Sequence, residues 1–250
     1  GRGALEMLVD RFDPIEDKTV AILCGRGNNG GDGFVIGRYL MEMGVHVRFF
    51  LLADRDRVQA DAKTNMVLVE KLLAEHPDSE FLEVPDKDSF EQCRSRLLHH
   101  DIIVDAILGT GLNSDVRGYY KDVIDTLNDS AIPVFSVDIP SGLNSDTGKI
   151  CGTAIQAAAT ATFAFAKAGH VLYPGNELTG DLEIIDIGIP GHLAKAEHPH
   201  IFLPEFEDVA AMLPDRGFDS HKGIFGHLML VAGSPGKTGA AVLCANAAAR

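Results

Sequence analysis

Three clusters in the first 150 residues bring together side chains that could do chemistry. The first is Gly25-Arg-Gly27-Asn-Asn-Gly30-Gly31-Asp32-Gly33, which sets two amides and a carboxylate among five glycines. Read as Gly-x-Gly-x-x-Gly between an apolar run and a helical stretch, it matches the dinucleotide fingerprint, and Asp54 stands about 20 residues further on, where that fingerprint expects an acid. The spacers of that fingerprint are usually small or apolar. Here they are Asn28 and Asn29, with Asp32 at the expected helix start. Amide and carboxylate oxygens so near a loop backbone suit a cage for a cation or for ligand hydroxyls. The plain alternative is a loop whose glycines need positive φ, with Asp32 capping the helix.

The second cluster is Asp105, inside the apolar run Ile102–Leu108, followed by Gly109-Thr-Gly111-Leu-Asn-Ser-Asp115. An aspartate in an apolar strand is costly unless it is hydrogen-bonded, paired or liganded. The third is Ser136-Val-Asp138-Ile-Pro140-Ser141-Gly142, running on to Asp146-Thr-Gly148. Asp138 ends another apolar run, so it points toward the same crevice as the two glycine loops. A lone carboxylate there can act as general acid and base. A plain strand-end turn is the alternative. Lys167 follows a further strand and could reach this crevice, although by itself it reads as a solvated lysine.

The elements that must position these groups alternate. Strands are expected at Lys18–Cys24, Val45–Leu52, Phe81–Val84, Ile102–Leu108, Pro133–Val137, Thr160–Ala166 and Leu182–Ile187. Helices are expected from the glycine loop to about Met43, over Thr64–Glu75 and over Tyr119–Asn128. Gly1-Arg2-Gly3-Ala4-Leu5 also runs into a helical pattern. The apolar runs are continuous, as in strands covered on both faces. The reading is α/β: a Rossmann-like three-layer α/β/α sandwich with a mostly parallel sheet and right-handed crossovers.

A boundary is expected near residues 190–222, where Pro190, Pro199, Pro204 and Pro214 cluster. A new strand at His227–Ala232, a loop Gly233–Gly239 and an Ala-rich helix then follow. Gly236-Lys237-Thr238 resembles the end of a phosphate-binding P-loop, but the glycine that motif requires at 231 is Val231. Both ends of the chain read as cut.

Composition narrows the classes. The chain has 250 residues, 46% of them hydrophobic and 23% charged, and a net charge of −14. These values fit an ordinary globular protein, and the acidic balance argues against nucleic acid and against an anionic membrane surface. The longest weakly polar run, Ala154–Ala166, is too short and too polar to cross a bilayer. Cys24, Cys93, Cys151 and Cys244 are scattered, which argues against a zinc ribbon and a disulfide framework and for reduced cytoplasmic thiols. The histidines show no metal-ligand spacing.

Taken together and in order, Asn28-Asn-Gly-Gly-Asp32, Asp105-Ala-Ile-Leu-Gly109-Thr-Gly111 and Ser136-Val-Asp-Ile-Pro-Ser-Gly142 resemble the NAD(P)H-hydrate epimerase family over residues 1–200. The run from His221 to Ala240 looks like the opening of the ADP-dependent NAD(P)H-hydrate dehydratase domain, which has a ribokinase-like fold. Epimerase followed by dehydratase is the layout of the bifunctional NAD(P)H-hydrate repair enzymes. The resemblance implies interconversion of the R and S epimers of NAD(P)H hydrate, a cofactor damaged by hydration at C6 of the nicotinamide ring. The hydrate is then a substrate and not a redox cofactor.

The resemblance further implies hydrate binding by Asn28, Asn29, Gly30, Gly31 and Asp32, by Gly109, Thr110, Gly111, Leu112, Asn113, Ser114 and Asp115, and by Asp138, which would be the catalytic acid and base. It implies one potassium ion (K+) at Asn29, Asp105 and Ser141, and a hydrate contact at Ala240. ADP or ATP would serve only the dehydratase, of which residues 201–250 would be a linker and a first fragment. The family's N-terminal helices, which can take part in dimer contacts, would precede residue 1, leaving a homo-oligomer open. An NAD-dependent oxidoreductase would use the same glycine turn but lacks an evident catalytic His or Tyr. A non-catalytic nucleotide-binding module would keep the loops and could lose Asp138.

Overall fold

The structure, a computed structural model, describes residues 1–197, 199, 201–213, 217–221, 223–224 and 226–249. The chain divides into two units, Gly1–Pro199 and His200–Arg250, so the boundary falls inside the expected proline-rich stretch.

The first unit runs α1 (Arg2–Arg11), β1 (Thr19–Cys24), α2 (Asn28–Glu42), β2 (His46–Leu51), α3 (Ala60–Leu72), β3 (Glu80–Glu83), α4 (Lys87–Leu97), β4 (Ile102–Ala106), α5 (Tyr119–Asn128), β5 (Val134–Val137), β6 (Ala159–Phe163), α6 (Ala168–Val171), α7 (Gly175–Leu178), β7 (Asp181–Ile185) and α8 (Gly191–Ala196). The seven strands form one sheet in the order β3-β2-β1-β4-β5-β6-β7, and every neighbouring pair is parallel. The order reverses between β1 and β4. Such a reversal splays the following loops apart and opens a crevice beyond the strands' C-terminal ends.

Both faces of the sheet are covered, which is why the strands lack a polar alternation. On β1, Val20, Ile22 and Cys24 face a core shared with α1, α2 and α3, including Leu8, Phe34, Leu40 and Met66. Ala21 and Leu23 face the opposite core with Phe90, Leu97, Val123 and Leu127 of α4 and α5. Together these layers are the expected three-layer α/β/α sandwich.

Several expected boundaries shift. The apolar runs at 102–108 and 160–166 both leave the sheet early, β4 at Ala106 and β6 at Phe163, so the residues beyond belong to loops. Helix α3 starts at Ala60 and not at Thr64. Helix α4 has no counterpart in the sequence reading. It buries only Phe90, Cys93 and Leu97 and is polar elsewhere, so its apolar stripe is narrow. Its signal was the start: Asp86 Oδ1 accepts from the Ser89 N–H at 2.9 Å, and Ser89 Oγ accepts from the Asp86 N–H at 3.2 Å, a reciprocal cap.

In the second unit, the described residues include α9 (Phe206–Met212) and α10 (Gly239–Ala248). The Ala-rich helix is present, but the strand expected at His227–Ala232 is not. Among the described residues the segment from 231 to 238 carries only an isolated bridge between Ser234 and Lys237. A strand needs a neighbour to close its ladder of hydrogen bonds, and no described segment pairs with 227–232. Lys222, Phe225 and Arg250 of the dehydratase-like run and its helix lie outside the described residues.

Candidate active site at the strand ends

The loop Gly25–Gly27 joins β1 to α2, and the helix begins at Asn28 with Gly27 as its N-cap. The five glycines are not there for positive φ, because none of them adopts it. Four of them allow close approach, while a Cβ on Gly27 would meet nothing within 4 Å. A Cβ on Gly25 would stand 1.9 Å from the Ile107 carbonyl oxygen, and one on Gly30 would stand 1.9 Å from the Gly25 oxygen. Chain Gly25–Gly30 is thereby pressed against the loop after β4. Asp32 does not cap the helix. It lies a turn inside α2, where Oδ1 accepts from the Gly1 main-chain nitrogen at 2.7 Å.

A cavity of about 700 Å³ opens over these strand ends. Asn28, Asn29 and Asp32 line it from α2, Gly109, Thr110 and Gly111 from the loop after β4, and Asp138 from the end of β5. Gly30 and Gly31 are buried beneath it. Leu112 packs on the core of α4 and α5, and Asn113, Ser114 and Asp115 are exposed and outside the lining. Ala240 belongs to α10 in the other unit.

Behind the cavity wall, Asp105 is fully buried. Register puts Ser136 of β5 beside it, and the Ser136 hydroxyl donates to Oδ2 at 2.8 Å. The Ser141 N–H donates to Oδ2 at 2.8 Å, the Ser141 hydroxyl to Oδ1 at 2.5 Å, and the Ile107 N–H to Oδ1 at 3.3 Å. Burial raises the Asp105 pKa, and the hydrogen bonds from Ser141, Ser136 and Ile107 oppose that rise. Asp105 is thus satisfied as a hydrogen-bond hub that ties β5 to the loops after β4 and β5. Further along, through Ser141 and Leu108, Asn29 Nδ2 donates to the Leu108 carbonyl at 3.0 Å, while Asn29 Oδ1 is buried without a partner among the described residues.

Asp138 is held differently. Its φ is +66°, a left-handed conformation that a non-glycine residue adopts at some cost. Oδ1 accepts from Lys167 Nζ at 2.5 Å and from the Thr162 hydroxyl at 3.1 Å. Lys167 is therefore not a solvated lysine: 22% of its side chain is exposed, and its ammonium has three partners. The imidazole of His170 is buried, and burial first, then the Lys167 cation, pushes its pKa down to about 4.

Among the other lining groups, Arg57 and Tyr120 had no signal in the sequence. Arg26 and Arg57 bring positive charge to the cavity of an acidic chain, and Asp54 pairs with Arg57 at 2.9 Å. Tyr120 lines the far wall, its hydroxyl donating to the Leu52 carbonyl at 2.6 Å. Arg26 belongs to the first glycine loop itself, whereas Asp54, Arg57 and Tyr120 lie between β2 and α3 and on α5, so only the fold brings them to the glycine loops.

Sheet, crevice and strand-end carboxylates define an open parallel α/β domain with a cavity at the topological switch point. The family of the YjeF-related protein N-terminus matches residues 1–169, and the chain belongs to that family. It is 40% identical over 234 residues to the bifunctional NAD(P)H-hydrate repair enzyme Nnr of Moorella thermoacetica, which covers 94% of this chain and 43% of the relative. It is 36% identical over 195 residues to the NAD(P)H-hydrate epimerase of Rhodopirellula baltica, covering 78% of this chain and 75% of the relative. The chain spans about half the length of the bifunctional relatives it matches. The crystal structure of yeast ynu0, YNL200c, shares the fold, with a TM-score of 0.59 and 21% identity over 87% of this chain and 83% of that one.

Proposed function

We propose that the first unit epimerises NAD(P)H hydrate at C6 of the nicotinamide ring. The observation that carries this reading is Asp138, whose carboxylate stands at the end of β5 in a cavity lined by the two loops that the epimerase motifs occupy. Relatives named as NAD(P)H-hydrate epimerase, at 36% identity and three quarters of their own length, support it. Epimerisation needs the C6–O bond to break and reform. The carboxylic acid form of Asp138 gives its proton to the leaving hydroxyl, which departs as water while the ring nitrogen's lone pair forms N=C6. Water then adds to the other face of C6 and the carboxylate takes its proton, so atoms and charges return to the start. The net change is stereochemical, with no oxidant consumed. Arg26, Arg57 and the free N–H groups at the start of α2, which no side chain caps, suit the pyrophosphate of the dinucleotide.

Residues here also fit a monovalent cation. Asn29 Oδ1 is buried without a partner among the described residues, and the amide is linked through the Leu108 carbonyl and Ser141 to Asp105, a run rich in oxygens. Potassium held there would neutralise charge beside the substrate and lock the loops; it is not itself a reactant.

Residues 201–250 we read as the start of a second enzyme part. Support comes from coverage: the relatives named as bifunctional match 90–100% of this chain and those named only as epimerases 69–78%. Dehydration of the S-hydrate with ADP or ATP would belong to a longer chain, and ADP should not bind the Gly233–Gly239 loop alone. No helix among the described residues is long and apolar enough to cross a membrane. The deciding experiment is incubation of purified R-hydrate with the protein, with chromatography following the S form. Conversion at the spontaneous rate alone would refute the reading.

A further inference from the structure

Asp138 is gripped at two points by one turn of chain. Its Oδ1 receives the Lys167 ammonium at 2.5 Å, while no described residue donates to Oδ2. Its carbonyl oxygen accepts from His170 Nε2 at 3.0 Å, and His170 Nδ1 accepts from the Lys167 main-chain N–H at 3.1 Å. These two bonds define the neutral Nε2–H imidazole, since Nδ1 must be bare to accept. Residues 167 and 170 therefore bracket the side chain and the backbone of Asp138 together.

The ammonium is itself immobilised. It donates to Thr162 Oγ1 at 2.6 Å and to the Phe163 carbonyl at 3.1 Å, so its three N–H bonds are all assigned. Thr162 and Phe163 close β6, and the chain turns back at Ala164, whose φ is +64°. Two left-handed non-glycine residues, Asp138 and Ala164, thus stand at the ends of adjacent strands, with Lys167 bonded across them. Backbone strain of this kind persists only where surrounding contacts hold it. Lys167 does not line the cavity, whereas Asp138 does.

We propose that Lys167 is the positioning residue of the epimerisation: its ammonium clamps Oδ1 of Asp138 so that Oδ2 alone faces the substrate and exchanges the proton. The proposal rests on the epimerase reading. A carboxylate free to rotate would offer either oxygen in many orientations, whereas proton transfer to a leaving hydroxyl needs one oxygen within hydrogen-bond reach. The fixed cation also compensates the carboxylate each time its proton has been given away.

The test uses the whole chain with R-hydrate as substrate. Lys167→Met should lower kcat by about 10-fold or more, while KM stays within about twofold, because Lys167 touches no substrate. Lys167→Arg, which keeps the charge, should restore most of kcat. In an Asp138→Asn background, Lys167→Met should cost nothing further. Unchanged kcat, a loss expressed in KM, or an equal loss in the Asp138→Asn background would each overturn the proposal. A second readout is independent of turnover: the side-chain carboxyl carbon resonance of Asp138, assigned by its disappearance in Asp138→Asn. It should move in Lys167→Met and return in Lys167→Arg. A wild-type chain that leaves R-hydrate unconverted refutes the epimerase reading, whereas an unmoved resonance overturns the clamp whatever the turnover.

Discussion

Two adjacent strands of the sheet each carry an aspartate at the cavity, and the two are built for opposite ends. Asp105, in β4, is sealed in and takes four hydrogen bonds from uncharged donors. Asp138, just past β5, takes a cation on Oδ1, receives no bond on Oδ2 from any described residue, and lines the cavity. A carboxylate surrounded by fixed neutral donors is a tie between loops. One with a free oxygen over a cavity is a reagent. The same residue type on two neighbouring strands, Asp138 two residues beyond the register partner of Asp105, is divided by its neighbours, and the division predicts which variants should fail to fold and which should fail to turn over.

The largest effect is expected at Asp105. Asp105→Ala leaves Ser136 Oγ, Ser141 N–H and Ile107 N–H without their acceptor in a buried site. The variant should lose about 3 kcal/mol or more of stability in urea unfolding. A loss below about 1 kcal/mol would mean that the loops find other partners and that Asp105 is no tie. At Asp138 the expectation reverses: Asp138→Asn should cut kcat by roughly 100-fold or more, while the unfolding midpoint changes little. Near wild-type turnover would remove Asp138 from the chemistry and erase the contrast.

Much of this was legible in the residues. A carboxylate inside the run Ile102–Leu108 and another at the end of Pro133–Val137 are anomalies that burial makes expensive, and both proved to be held. What the sequence could not show is who holds them. Ser136 meets Asp105 only because β4 and β5 pair in one register, Asp105 opposite Ser136. Lys167 meets Asp138 across 29 residues of chain, and read alone it resembled any exposed lysine. The plain alternative for the first loop, glycines at positive φ, does not hold: Gly25, Gly30, Gly31 and Gly33 serve close packing. Helix α4 escaped notice because its apolar stripe is three residues wide, and the 227–232 run misled because hydrophobicity alone cannot supply a strand's neighbour.

The Asp138 side of the comparison carries a pH signature through His170. The imidazole is neutral in the folded state down to about pH 4, whereas the unfolded chain takes up the proton near 6.5. A depressed pKa contributes stability that is full above 6.5 and is lost as pH falls toward 4. Over that window the wild type should lose about 2 kcal/mol more stability than His170→Gln, whose amide can still donate to the Asp138 carbonyl. Parallel stability curves for the two proteins would place His170 in contact with water and loosen the bracket around Asp138.

The smallest effect separates the strand ends most finely. If Asp105 is already satisfied, a cation near it answers to Asn29 Oδ1, the buried oxygen with no partner. An oxygen in that state has lost its water and gained nothing, so a monovalent cation would relieve a cost and not add a luxury. The stabilisation grows with the logarithm of cation concentration over its dissociation constant, and about 1 kcal/mol corresponds to roughly 2–4 °C in a chain of this size. Replacing potassium by tetramethylammonium at constant ionic strength should therefore lower Tm by a few degrees. Asn29→Ala should remove that difference while retaining the fold, because it deletes the unpartnered oxygen and leaves the hydrogen bonds to Asp105 in place. Lys167→Arg, on the other side of the comparison, should leave the potassium response intact. An equal Tm in both salts would assign the Asn29 oxygen no cation, and a response that survives Asn29→Ala would move the ion elsewhere, leaving the β4 end a purely hydrogen-bonded knot.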